Sequence, residues 1–397
     1  MHQRPANHHF FDVVVVGARL AGAATAMLLA RRGVRVALVD RSRLAADTLS
    51  THALMRAGVL QLHRWGLLDR VRAAGTPPVR RTTFSYHDAV VPITIKPSNG
   101  VDALYAPRRT VIDPILVTAA AEAGADVRFG VTVTGLTRSR DGRPDGVTGT
   151  GADGRPVTIR ARFVVGADGI RSTIAGLVEA PYEHRGRHAS AVTYGYWTGA
   201  QVDGYEWIFH PDAAAGAIPT NGGQVCVFAS ATPERIGRGG TGVIESIVRS
   251  SAPDLAERLR TAQAPLHTRT FRGHPGFLRK PWGNGWTLVG DAGYFKDPLS
   301  AHGMTDALRD AELVARALAA VLEGADETDA LAGYQATRDA LSLPLFEVID
   351  RIASHRWTNA EIGDLLLRLS SAMADEVELL AGLDAHDLPL ATRGRVA

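Results

Sequence analysis

The first readable pattern is a short, unbroken apolar run. Residues 11–16 read FDVVVV, rich in β-branched side chains and barely alternating, which predicts a strand buried on both faces of a parallel sheet. A glycine-bounded turn follows from Gly17 to Gly22. Residues 23–32 are small and apolar enough for a buried helix, and Gly33 suits its C-terminal cap. Residues 34–39 make a second apolar run, closed by Asp40. Together they predict a β–α–β unit. Residues 47–75 read as loop plus helix, with Val59, Leu60, Leu62, Trp65, Leu67 and Leu68 apolar.

Further along, residues 82–95 alternate enough for strands. Residues 110–124 place Ile112, Ile115, Leu116 and Ala119 on one helical face. Residues 127–136 and 157–165 read as strands, separated by turn-rich stretches at 141–146 and 151–154 that suit a hairpin. Aromatics then concentrate. Residues 191–198 and 224–230 alternate as strands, so 186–280 reads as a second, mostly antiparallel sheet. A buried strand at 286–289, a long helix at about 304–322 and a wholly helical region 333–397 with a weak tail complete the pattern. The expected fold is α/β: a Rossmann-type domain (10–75, 106–185 and 281–330), an inserted sheet domain (76–105 and 186–280) and C-terminal helices (331–397), the last able to form a lid or a dimer contact.

Composition narrows the class. The 397 residues are 45% hydrophobic and 21% charged, with a formal net charge of +3 and scattered basic residues. Without a dense basic stripe, nucleic acid is not an expected partner. The apolar stretch 13–30 carries Arg19 in its middle and glycines at 17 and 22, so it predicts neither a membrane span nor a signal peptide. The single cysteine, Cys226, excludes an internal disulfide and a cysteine-cluster metal site. A reducing cytoplasm is the expected location, and no metal is expected.

Three motifs carry the chemistry. In Gly17-Ala18-Arg19-Leu20-Ala21-Gly22, between strand and helix, Gly17 permits a tight turn and Gly22 a close helix–strand approach. The helix N-terminus then offers N–H groups to phosphates, and Asp40 offers acceptors to a ribose. Gly166-Ala167-Asp168-Gly169-Ile170-Arg171-Ser172 follows the apolar strand ending at 165, and Gly290-Asp291-Ala292-Gly293 follows the strand ending at 289. Both place an aspartate at the carboxyl end of a buried strand, where open α/β sheets bind ligands.

In this order the motifs resemble those of the single-component FAD-dependent monooxygenases of the para-hydroxybenzoate hydroxylase type, a family that also reaches halogenases and geranylgeranyl reductases. The resemblance covers about residues 10–325. It implies FAD, with the pyrophosphate held at Gly17, Ala18 and Gly22 and the adenosine ribose by Asp40 beside Arg41. It places Asp168 and Gly169 near the pyrophosphate, Gly290 and Asp291 at the ribityl chain, Arg109 near the FAD, and the run Pro298 to Gly303 with Met304 against the isoalloxazine. Two departures stand out. Ser172 is followed by Thr173, Ile174 and Ala175, where the family carries an arginine three residues on, and Ala301-His302-Gly303-Met304-Thr305 replaces G-x-G-x-N.

The implied reaction is hydroxylation of an aromatic or conjugated small molecule with O2, through a C4a-hydroperoxyflavin, with NAD(P)H as a transient co-substrate, since a second glycine fingerprint is missing. Pro298 and His302 are the catalytic candidates, although for His302, as for His52, a structural or exposed histidine is the preferred reading. Tyr194, Tyr196, Trp207 and Phe209, at period-two spacing, and Pro219 are the substrate candidates, and the same aromatics read as core packing. A flavin-dependent reductase or dehydrogenase of a lipid or polyketide is the alternative. The Trp282 to Trp286 spacing does not match the tryptophan motif of halogenases. A non-catalytic flavoprotein would be a different class.

Overall fold

The computed structural model describes residues 10–86 and 89–383; the expected tails at 1–9 and at the extreme C-terminus lie outside them, apart from residue 383 and those before it. The first strand, Phe10–Val16, is flanked in parallel by Val36–Asp40 and by Pro156–Gly166. Asp126–Phe129 extends this sheet on one side and Trp286–Leu288 on the other. Helices Leu20–Arg31, Arg109–Glu122 and Gly303–Leu322 cover one face, burying Met27, Leu29, Ile112 and Leu308. The Rossmann-type expectation therefore holds, with its antiparallel hairpin attached at Pro156–Gly166.

The run 127–136 is not one strand. It breaks at Gly130, which takes a left-handed φ of +74°. Residues before the break pair with Val36–Asp40, and those after it form the hairpin strand Thr132–Arg138. Alternating residues carry no mark of which neighbour they will pair with.

The second sheet has seven strands in the order 269–271, 191–198, 224–231, 213–219, 205–210, 81–86 and 89–94. All pairs are antiparallel except Tyr205–His210 with Arg81–Tyr86. Its outer face carries Trp197, Ile208 and Val227 under the helices Thr241–Ser251 and Pro253–Arg260, which the sheet-only reading of 186–280 did not anticipate. Its inner face carries Tyr194, Trp207, Phe209 and Phe228 in one core with Ile349, Ile352, Leu365 and Leu369 of the C-terminal helices. A third sheet, also not expected, joins 294–295, 277–279 and 182–185.

The last helix, Asn359–Gly382, starts on a capping box. Thr358 Oγ1 accepts from the Glu361 N–H at 3.3 Å, and Glu361 Oε2 accepts from the Thr358 N–H at 2.7 Å. Among the described residues no helix is long and apolar enough to cross a membrane.

Candidate functional site

The three glycine motifs begin at one level of the parallel sheet. In register, Val16 lies beside Gly166, and Gly166 beside Leu288. Each turn therefore leaves the sheet at the same edge, outside the strands' carboxyl ends. They meet so closely that side chains are excluded. A Cβ on Gly17, whose φ is +108°, would lie 2.3 Å from the Ala167 carbonyl oxygen. One on Gly22 would lie 1.8 Å from the Gly17 oxygen, and one on Gly290 would lie 2.9 Å from Ala21 Cβ. The helix Leu20–Arg31 has no side-chain cap at its N-terminus, which leaves its first N–H groups to a ligand.

The acidic candidates divide by what they already hold. Asp40 Oδ2 accepts from the Ala18 N–H at 2.7 Å, and Oδ1 from the Ser42 N–H and hydroxyl, so this carboxylate braces the glycine turn; Arg41 beside it is exposed. Asp168 accepts from the Ser172 hydroxyl and the Thr173 and Ile174 N–H groups, capping the short helix Thr173–Leu177, while Gly169 takes a left-handed φ of +83°. Asp291 accepts nothing from the described residues. Its side chain is open to water but stands deep in the cleft, where crowding by protein raises its carboxyl to about 6, against the pull of Lys296 and Arg109.

Beside it, Arg109 Nε donates to Asp113 Oδ1 at 3.0 Å, and Arg19 Nη1 stands 3.9 Å from Asp113 Oδ2. Two guanidinium groups thus share one buried carboxylate, and Arg19 Nη1 has no hydrogen-bond acceptor. That arrangement suits a dianionic pyrophosphate. The glycine cradle, the open Asp291 and the uncapped helix together fit FAD. Arg19 and Asp113 were not among the sequence candidates. Arg19 sits inside the glycine turn, a position that could have flagged it.

A cavity of about 210 Å³ opens on the other side of the run 298–304. The inner sheet face supplies Thr82, Phe84, Trp207 and Phe209, and the 359–382 helix supplies Leu366, Leu369 and Met373. Leu299, Ser300 and His302 complete the wall. Trp207 Nε1 donates to Thr82 Oγ1 at 2.9 Å, which fixes its ring.

Tyr194 and Tyr196 share the sheet face but do not line this cavity. The Tyr194 hydroxyl accepts from the Ser50 N–H at 2.9 Å, and Ser50 Oγ donates to Met304 Sδ at 3.5 Å. Tyr196 hydrogen-bonds to His52 Nε2, and the Arg108 guanidinium lies 3.7 Å from its ring centroid. His52 is buried with φ +69°, and burial, reinforced by Arg109 and Arg108, pulls its imidazole down to about 3. Pro219 must be corrected. It pairs with Val225, which belongs to the outer face under the 241–260 helices, so it does not stand with the four aromatics. Its strand reverses facing at every residue.

The run 298–304 joins the two regions. Pro298 opens a short 3₁₀ turn whose first N–H, that of Leu299, donates to Asp297 Oδ1. Burial raises Asp297 to about 7, against the N–H groups of Leu299 and Ser190. Ala301 takes a left-handed φ of +48°, and Gly303 stands exposed at the start of the 303–322 helix, which lacks a side-chain cap. Beneath it lies a knot of buried charge. His302 Nε2 meets Glu376 Oε2 at 2.5 Å. Arg309 donates to Glu376 Oε1, Asp306 Oδ1, Asp310 Oδ1 and Ser342 Oγ. Lys296 pairs with Asp306.

Burial alone would raise Glu376, but His302 and Arg309 outweigh it and hold the carboxylate down to about 2. Burial lowers His302, against the pull of Glu376, and lowers Lys296 well below its usual range. His302, Asp306 and Glu376 have the spacing of metal ligands, but Lys296 and Arg309 already supply the cations. No spacing in the chain announced Glu376, Arg309 or Lys296.

A family model described as an FAD binding domain matches residues 11–346. Aklavinone 12-hydroxylase DnrF of Streptomyces peucetius is 29% identical over 365 residues, covering 83% of this chain and 72% of its own. A digeranylgeranylglycerophospholipid reductase of Methanocella arvoryzae is 26% identical over 350 residues, covering 84% of each. Among solved structures, a flavin-dependent brominase superposes with a TM-score of 0.80 at 17% identity over 94% of both chains, a likeness of fold.

Proposed function

The chain belongs to the FAD-binding-domain family, among the FAD-dependent monooxygenases of the para-hydroxybenzoate hydroxylase type, and from that premise we propose that it hydroxylates an aromatic or conjugated small molecule held in the cavity between the inner sheet face and the 359–382 helix. One observation carries this reading. The run 298–304 borders that apolar cavity through Leu299 and His302 and at its other end starts the helix that packs on the glycine cradle. A flat guest and a flavin would meet across it.

FAD, when bound, supplies the redox and oxygen-transfer chemistry, with NAD(P)H as a transient reductant and O2 as the oxygen source. The chain supplies the rest. Gly17, Ala18 and Gly22 leave room for the pyrophosphate, and Arg19 and Arg109 balance its charge. Asp291, and Asp40 beside the turn it braces, would hold the sugar-alcohol parts of the cofactor. The N–H groups from Gly303 to Thr305, at the uncapped start of their helix, would offer hydrogen bonds to negative charge on the ring. Pro298, lacking an N–H, makes a dry wall, and Trp207 and Phe209 hold the substrate by apolar area. The single, buried Cys226 suits work in a reducing compartment.

The test is NAD(P)H consumption by the FAD-loaded protein during a screen of phenols and other conjugated small molecules under labelled O2. One labelled oxygen atom in the product is the expected result. Product formed equally well under strict anaerobiosis would favour a reductase, as the name of the archaeal relative describes.

A further inference from the structure

We propose that Arg56 selects substrates that carry a carboxylate, so that the guest of the cavity is an apolar, flat acid rather than a neutral polycycle. This rests on the reading of the cavity as the substrate site. Among the described residues that line it, Arg56 carries the only permanent charge, and no acid stands in the wall. His302, the other ionisable group there, is pushed toward its neutral form by burial.

Arg56 opens the helix Arg56–Arg64 and is pinned by neutral groups alone. Its Nη1 donates to Ser98 Oγ at 2.9 Å and to the Val101 carbonyl at 3.3 Å, and its Nη2 donates to the Lys96 carbonyl at 2.7 Å. Lys96 follows Ile95, itself part of the wall, so the pinned group stands at the rim of the chamber. These acceptors fix the guanidinium in place without cancelling its charge. The acid that follows Val101, Asp102, is taken by Arg72 and Arg80. Burial lowers the pKa of Arg56, and no carboxylate stands near enough to raise it.

An arginine has five N–H groups. The three bonds use Nη1 and one hydrogen of Nη2, which leaves Nε–H and the second hydrogen of Nη2 without an acceptor among the described residues. Those two nitrogens form the fork that grips a carboxylate. Elsewhere in the chain the same pair on Arg35 holds both oxygens of Asp12, at 3.1 and 2.9 Å. An apolar chamber screens a charge poorly, so the attraction at its rim is strong. A neutral guest would displace the water around Arg56 and return no acceptor. One guanidinium matches the single charge of a carboxylate, whereas a dianionic phosphate leaves one charge over. The acid group then stays at the rim, and the ring enters toward Trp207, Phe209 and Leu299.

The experiment compares 2-naphthoate with its neutral isostere 2-naphthamide, each titrated calorimetrically into the FAD-loaded protein, with no turnover needed. Wild-type protein should bind the acid at least about tenfold more tightly than the amide, a readout that depends on no variant. Arg56→Gln should lower the affinity for the acid by the same factor and leave that for the amide nearly unchanged, with FAD content and circular dichroism as in the wild type. Arg56→Glu should reverse the order and prefer 2-naphthylmethylammonium, a swap that a merely structural arginine would not produce. Met373→Trp, which fills the cavity from the helix side, should weaken both the acid and the amide. An amide bound as tightly as the acid, or an Arg56→Gln protein that holds the acid like the wild type, overturns the role of Arg56 and leaves the cavity reading standing. Failure of both probes to bind, or binding untouched by Met373→Trp, overturns both.

Discussion

The glycine cradle and the charged knot both adjoin the helix Gly303–Leu322, and they are built on opposite principles. In the cradle, Gly17, Ala167, Gly22 and Gly290 approach through backbone and small atoms, and what matters is the space that a Cβ would fill. In the knot, Lys296, His302, Asp306, Arg309, Asp310 and Glu376 fill all the space with buried charge. Each turn of the cradle is marked by its own few residues, although the turns lie far apart in the chain and meet through neighbouring parallel strands. The knot has no such local mark: Glu376 reaches His302 across 74 positions. In the proposed reading the first region sets ligand affinity; the second ties the C-terminal helix to His302 and Arg309.

The largest expected effect lies in the knot. Glu376→Ala leaves Arg309 and His302 without their shared carboxylate, and breaking such a buried pair costs about 3–5 kcal/mol. Urea denaturation should register that loss, while the folded fraction keeps nearly native FAD affinity. A variant as stable as the wild type would erase the contrast between the regions.

Gly22→Val attacks the cradle. Its Cβ would collide with the Gly17 carbonyl oxygen, and overpacking of this kind costs about 1–3 kcal/mol. FAD affinity should fall at least about a hundredfold, a larger loss than the stability change accounts for, because in the proposed reading the turn holds the phosphates. Fluorescence titration with FAD gives the comparison. Undiminished affinity would mean that the cradle is a packing device.

Within the cradle, Asp291→Asn and Asp168→Ala should separate. Asp291 has nothing but the cleft to bind, so its loss should weaken FAD about tenfold at neutral pH with little change in melting temperature. Asp168 caps a helix, so its loss should cost about 1 kcal/mol of stability and change FAD affinity less. Dissociation constants in the reverse order would contradict this assignment.

The smallest effect is a difference in pH response. Asp297 is raised to about 7 from 3.8, so its contribution is fully present below about pH 4 and is lost as pH rises through 7. Glu376 is lowered to about 2 from 4.5, so its contribution is present above pH 4.5 and is lost as pH falls toward 2. Asp297→Asn should therefore flatten the decline in stability between pH 4 and 7 without changing the acid limb. Thermal melts across pH would expose a common response, which would count against it.

The sequence by itself determined the β–α–β start, the Rossmann-type class, the second sheet and the three glycine motifs that mark the FAD family. These depend on spacing within a few residues: which side chains are absent from a turn, and which run of apolar residues has no polar face. Tertiary structure alone decided that 127–136 breaks at Gly130, that Pro219 faces away from the aromatics, that Arg19 joins Arg109 around Asp113, and that the last helix closes the cavity. Glu376 is the clearest case. On its helix it is one acidic residue among several, and it becomes a partner of His302 and Arg309 only because Leu365, Leu366 and Leu369 dock that helix on the inner sheet face. A short-range pattern is written where it acts. A buried charge acquires its meaning from neighbours that folding alone brings to it.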